Sequence, residues 1–286
     1  MISGTKGVLG FADHDRTAVG MRYVYPVVSR RAGGVSVGIN LNPNNACNWQ
    51  CIYCQVPGLV RGGPPPIDLP LLQEELTAFL HELLHDGFME RHVPEGLRRI
   101  CDIAFSGNGE PTSSESFDEA IELVGRVREA SGLLAESVPI RLITNGSLMG
   151  REGVRKGISR LAGLGGEAWF KLDGGRAEDY LDINGVSLDP ARVVRNLRAC
   201  ADRCPTWVQT CLFVRDGRAP DEAMMSSYLD LLDRAGVERL KGVLLYGVVR
   251  PSMQPGAARI AALTQDQLGS YAKMIEKKGL TVRVSP

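Results

Sequence analysis

From residue 35 onward the chain alternates two kinds of segment. Short runs are rich in β-branched and aromatic residues; longer runs carry apolar residues every three or four positions. The short runs are 35–41 (VSVGINL), 99–107, 139–146, 167–174, 206–214 and 241–251, with 280–286 a brief last one. The long runs between them begin with 69–88 and 116–132. Their ends carry boundary signals, such as Ser116 before an acidic turn and Gly236 or Gly279 after a last turn. Strand followed by helix, repeated, predicts a parallel sheet with right-handed crossovers. An open doubly wound sheet buries both faces of its strands, which then read apolar throughout. Here one face is apolar and the other mixed. Val35, Val37 and Ile39 oppose Ser36, Gly38 and Asn40; Ile103 and Phe105 oppose Asp102, Ala104 and Ser106; Val208, Thr210 and Leu212 oppose Trp207, Gln209 and Cys211. The expected fold is therefore α/β, a partial (β/α)6 barrel of parallel strands with helices outside and a polar lumen. It spans residues 35–286, with residues 1–34 an extension packing on or capping it.

Composition narrows the partners. The 286 residues carry no net charge, so no global field draws in nucleic acid. DNA is not expected, and any RNA contact needs a local patch. The mixture of Arg22, Arg30 and Arg31 with Tyr23 and Tyr25 fits either such a patch or a strap across the barrel. No run of 18 apolar residues and no signal-peptide core is visible, so the expectation is a cytoplasmic protein with reduced thiols and no membrane partner. Seven cysteines, an odd number, argue against a disulfide framework and for metal binding or catalysis.

Three of them, Cys47, Cys51 and Cys54, fall on the loop after the first strand, at the end where barrel enzymes place their active sites. Zinc in a structural site wants four protein ligands, and no fourth lies nearby. Iron–sulfur clusters also take thiolates, and three leave one iron open. At Cys47-Asn-Trp-Gln-Cys51-Ile-Tyr53-Cys54 the chain resembles the radical SAM superfamily, whose CxxxCxxC motif has an aromatic before the third cysteine. The resemblance implies a 4Fe–4S cluster on these cysteines and S-adenosylmethionine on the open iron, with Tyr53 beside them. It implies an electron from an external flavodoxin- or ferredoxin-type donor, and a 5′-deoxyadenosyl radical that abstracts hydrogen from a substrate.

The second strand ends in SGNGEPT, where the superfamily places a Gly-Gly-Glu-Pro-like turn for the methionine amino group. Here that turn is Asn108, Gly109, Glu110 and Pro111, departing at its first position. By the same resemblance Asn145 and Asp173 are expected among the cofactor-binding polar groups, and Gln209, on the mixed face of its strand, is a further candidate. Lys171 and Arg250 are the candidate catalytic cations, for a carboxylate or an anionic substrate group; a Lys171–Asp173 pair or a solvated rim explains the same residues. Residues 24–55 are similar to the lead-in of the wyosine-synthesis group (4-demethylwyosine synthase-like) of radical SAM proteins. No cysteine precedes Cys47, where the archaeal members carry a second cluster, so the substrate does not transfer. A tRNA nucleoside, a small molecule and a peptide stay open, as does a non-catalytic iron–sulfur redox sensor. Cys200, Cys204 and Cys211 read either as core thiols or as an auxiliary site, and Cys101 as a structural thiol facing the helices.

Overall fold

The computed structural model describes residues 19–29 and 33–285; Arg30 and Arg31 lie outside the described residues. In chain order the elements are β1 (Val24–Ser29), β2 (Gly34–Ile39), β3 (Ala46–Cys47), β4 (Val60–Arg61), α1 (Leu69–His85), α2 (Phe88–His92) and β5 (Ile100–Phe105). There follow α3 (Phe117–Ala130), β6 (Ile140–Thr144), α4 (Glu152–Gly163), β7 (Glu167–Lys171), α5 (Ala177–Asn184), α6 (Pro190–Ala201) and β8 (Thr206–Leu212). The last are β9 (Val214–Arg215), α7 (Glu222–Ala235), β10 (Gly242–Gly247), β11 (Ile260–Ala261), α8 (Gln265–Glu276) and β12 (Val282–Ser285).

One eight-stranded sheet runs in the order β1-β2-β5-β6-β7-β8-β10-β12. From β2 onward each strand lies parallel beside its predecessor. The sheet curls into a half-barrel with the helices on its convex side, the α/β partial barrel expected from the strand pattern. Val35, Val37, Ile39, Ile103, Phe105, Ile140, Leu142, Ala168, Phe170, Val208, Val243 and Leu245 form the buried convex layer under the helices.

The concave side is polar, and a belt of paired charges crosses it. Arg141 reaches Asp102 on one side and Glu167 on the other, the latter at 2.8 Å. Ser36 donates to Asp102, and Trp169 and Trp207 donate their indole N–H groups to Glu167 at 3.0 and 3.2 Å. Arg141 stacks on Trp169 and Arg283 on Trp207. This belt joins neighbouring strands across the floor of the lumen. A buried charge is tolerated only when paired in this way.

Two local outcomes differ from the sequence reading. Residues 24–29, expected only as part of an extension packing on or capping the barrel, form an antiparallel strand on β2. The buried Glu75 carboxylate of α1 anchors its start, accepting from the backbone N–H groups of Arg22, Tyr23 and Val24 at 2.7, 2.8 and 3.3 Å. Tyr23 and Tyr25 are both buried, Tyr25 lying flat over Gly38, so neither ring is a platform for stacking bases. Cys101, expected to face the helices, is instead the extra residue of a bulge in β5, between Ile100 opposite Val35 and Asp102 opposite Ser36, and sits half-exposed beside Gly34. Among the described residues no helix is long and apolar enough to cross a membrane.

Candidate active site

A cavity of about 650 Å³ opens at the C-terminal ends of the parallel strands. Cys47, Cys51 and Cys54 all line it, with Tyr53, Asn108, Gly109, Glu110, Asn145, Lys171, Gln209, Tyr246 and Arg250. The loop that carries the thiols leaves β2 and is stitched down by its own asparagines. Asn40 Oδ1 accepts from Asn42 N and Asn108 N, Asn42 Nδ2 donates to Ala46 O at 2.9 Å, and Asn108 Nδ2 donates to Asn45 Oδ1 at 2.6 Å. The loop thus docks on the Asn108–Gly109 turn after β5. At Gly109 a Cβ would lie 2.2 Å from the carbonyl oxygen of Ala46, so the missing side chain serves this backbone contact. Gly109→Ala is expected to push the two loops apart and to cost about 1–3 kcal/mol, the usual range for overpacking; thermal unfolding together with iron content after reconstitution measures both effects.

Glu110 also holds the end of the sheet together. Its buried carboxylate accepts from Thr112 N and Oγ1, Thr144 Oγ1 and Asn145 N, at 3.2, 2.6, 2.6 and 2.7 Å. Three of these donors fall on Oε1 and only Asn145 N on Oε2, so the carboxylate clamps the turn to the end of β6 while Oε2 keeps an acceptor position at the cavity. Burial raises its pKa, and the four donors oppose that shift. Pro111 starts the short 3₁₀ turn that places Thr112. Asn145 spends its amide on Asn48 of the cysteine loop at 2.8 Å.

Asp173 is likewise a buried hub. It accepts from the Tyr53 hydroxyl, from Asn184 Nδ2 at 2.9 Å and from Cys211 N at 2.9 Å. Its partners are these groups and not Lys171, and it does not line the cavity. Lys171 does line it, donating to the hydroxyls of Tyr53 and Tyr246 at 3.3 Å each. Burial opposes its charge, the Tyr246 hydroxyl and Asp173 carboxylate outweigh that cost, and the ammonium's pKa lies above its ordinary value. Gln209, the cross-strand neighbour of Lys171, presents a buried Oε1 with no partner among the described residues.

Two elements that the sequence reading left aside hold the thiols. The C-terminus of α5 accepts from the cysteine loop, Ile183 O from Ile52 N at 2.7 Å and Asn184 O from Gln50 N at 2.9 Å. These are the carbonyls that a helix end leaves without internal partners. After β10, Ser252 Oγ donates to Ile52 O at 2.6 Å, Met253 N to Cys54 O at 2.9 Å, and Gln254 Nε2 to Val56 O at 2.8 Å. Pro251 and Pro255 bracket that clasp; the alternating asparagines were the visible sign of the other seam.

The sulfurs suit a multi-iron centre in donor type and placement. All three are free thiols facing one cavity and near enough to interact electrostatically. N–H groups are aimed at two of them, Trp49 N at Cys47 Sγ at 3.4 Å and Asn184 Nδ2 at Cys51 Sγ at 3.3 Å. Among the described residues no three His, Cys, Asp or Glu side chains converge on a single-ion site. Burial pushes Cys47 up to about 11 and Cys51 up to about 12 in the metal-free chain. Both are then neutral thiols at neutral pH, and metal binding must expel their protons. Since only the thiolate is nucleophilic, iodoacetamide at pH 8 is expected to label Cys47 and Cys51 far more slowly than an ordinary thiol, with labelling rising as pH approaches 11. Mass spectrometry of the alkylated peptides reads this directly; fast labelling of both at pH 8 would contradict it.

Cys200 and Cys204 lie fully buried on the helix side, while Cys211 faces the lumen from the opposite face of β8. The sheet stands between them, so the three do not form one auxiliary centre.

No family model matches the chain. It is 29% identical over 133 residues to a protein named GTPase Obg from Brachyspira hyodysenteriae, which covers 46% of this chain and 17% of that one. It is 31% identical over 159 residues to UPF0026 protein MJ1312 from Methanocaldococcus jannaschii, covering 56% of this chain and 42% of that one. The chain thus spans less than half the length of either curated relative. Among solved structures it resembles a radical SAM methyltransferase from Sphaerobacter thermophilus, with TM-score 0.62 and 16% identity over 92% of this chain and 68% of that one. The fold is a radical SAM half-barrel. It likewise resembles anSMEcpe solved with bound AdoMet, with TM-score 0.54 and 18% identity over 86% of this chain and 62% of that one.

Proposed function

We propose that the chain is a radical SAM enzyme in which Cys47, Cys51 and Cys54 hold a 4Fe–4S cluster and S-adenosylmethionine lies in the adjoining cavity. The carrying observation is the placement of three thiols at the mouth of a polar half-barrel, pinned from two sides by α5 and the 252–254 clasp. When bound, the cluster and its sulfonium partner supply one-electron cleavage of a carbon–sulfur bond and a hydrogen-abstracting carbon radical. The chain's own residues orient and enclose. Tyr53 and Asp173 brace the cysteine loop against β7 and β8. Lys171, held by two tyrosine hydroxyls, offers a cation inside the lumen; Gln209 beside it offers an acceptor, and Arg250 lines the same cavity near the rim. The paired belt of Asp102, Arg141 and Glu167 forms the floor of the lumen.

In this reading an external flavodoxin- or ferredoxin-type donor in the cytoplasm provides the electron. A tRNA nucleoside, a small molecule and a peptide are the substrate classes to be separated. Comparing modified nucleosides of RNA and small metabolites in cells with and without the protein separates these. The assay for the reaction class is anaerobic reconstitution, reduction and incubation with S-adenosylmethionine. Formation of 5′-deoxyadenosine is expected; a loaded, reduced protein that leaves the sulfonium intact would instead fit a non-catalytic redox sensor.

A further inference from the structure

Asn184 closes α5, and its side chain is fully buried. Its Nδ2 donates in two directions, to Cys51 Sγ at 3.3 Å and to Asp173 Oδ2 at 2.9 Å. The carboxylate decides the orientation of the amide. Asp173 is ringed by donors, the Tyr53 hydroxyl and Cys211 N, and so presents only acceptor oxygens. The NH₂ end of Asn184 must face it, and the second N–H then falls on the sulfur. The main chain of Asn184 is fixed at the same time, because its carbonyl accepts from Gln50 N at 2.9 Å. The amide cannot swing away from Cys51 without giving up its bond to Asp173. Beyond Asp173 the line of hydrogen bonds continues through Tyr53 to Lys171 in the lumen.

Hydrogen bonds to cluster sulfurs are among the levers that set a cluster's reduction potential. An N–H donor on a thiolate ligand withdraws charge and favours the reduced, more negative state. The C-terminus of α5 lies against the same loop and acts in the other direction, since a helix C-terminus carries partial negative charge. Asn184 is placed to offset it.

We propose that Asn184 is a positioning residue that raises the reduction potential of the iron–sulfur centre through its hydrogen bond to Cys51, with Asp173 holding the amide in its donating orientation. This rests on the reading that Cys47, Cys51 and Cys54 carry such a centre. The test compares the wild-type protein with Asn184→Ala and Asn184→Leu, the second preserving volume, all reconstituted anaerobically. Iron and sulfide content, the midpoint potential from EPR-monitored titration, and exchangeable-proton couplings by pulsed EPR in H₂O and D₂O are measured on each. The proposal expects unchanged cluster content, a more negative midpoint in both variants, and loss of one exchangeable-proton coupling. An unchanged midpoint with a full cluster overturns it. Loss of the cluster in both variants also overturns it, by assigning Asn184 a purely structural role. A wild-type protein that holds no cluster removes the underlying reading instead, so the two failures are distinguishable.

Discussion

Replacing Cys51 with alanine is expected to abolish both iron retention and 5′-deoxyadenosine formation while leaving the fold intact. Three thiolates are the minimum this loop supplies, and loss of one leaves two on a centre that usually takes four. Substituting even the outer partners of metal ligands commonly costs roughly 10–100-fold in affinity or activity. Loss of a ligand is expected to exceed that, to about background. The fold survives because Cys51 packs only at the edge of the core. It is partly exposed at the cavity, and the loop around it is held by the main-chain bonds of Ile52 and Cys54 to α5 and the clasp. Circular dichroism should superimpose on wild type, and iron analysis should not. A Cys51→Ala protein that keeps a full cluster and cleaves the sulfonium would show that this thiol is not a ligand.

Asp173→Ala is expected to have the largest effect on stability at the site. The substitution leaves the Tyr53 hydroxyl, one N–H of Asn184 and the backbone N–H of Cys211 without their acceptor in a buried position. A buried donor stripped of its partner costs about 1–3 kcal/mol. Three such groups, partly relieved by water entering the gap, total about 4 kcal/mol. At roughly 2–4 °C per kcal/mol for a chain approaching this size, the melting temperature should fall by roughly 10 °C. Tyr53 also loses the anchor that sets its hydroxyl against Lys171, so reconstituted iron content should fall with stability. Differential scanning calorimetry of metal-free protein isolates the first effect. A change below about 2 °C would mean that Asp173 is not the hub its hydrogen bonds describe.

Much of this is legible in the residues themselves. The opposed faces of the strands predicted a polar lumen, and Arg141, Trp169, Lys171 and Gln209 do point into it. The cysteine spacing predicted one loop facing one cavity. What escaped is what periodicity does not encode. The donors that hold Asp173 and Glu110 come largely from other segments, Tyr53, Asn184 and Cys211 for the first and Thr144 and Asn145 for the second. Asn184 and Ser252 lie 133 and 200 residues along the chain from the loop groups they contact, so no local pattern joins them to the thiols. Strand β1 was missed because Pro26 and the arginines around it blur its alternation. It forms at a sheet edge, where a residue without an N–H is tolerated.

The most direct test of the central claim is EPR of the anaerobically reconstituted, reduced wild-type protein with and without S-adenosylmethionine, alongside counts of iron and sulfide. The account predicts four irons and four sulfides per chain, a 4Fe–4S signal, and a change of that signal when the sulfonium compound binds the open iron. Zinc in place of iron, or a cluster signal indifferent to S-adenosylmethionine, would contradict it.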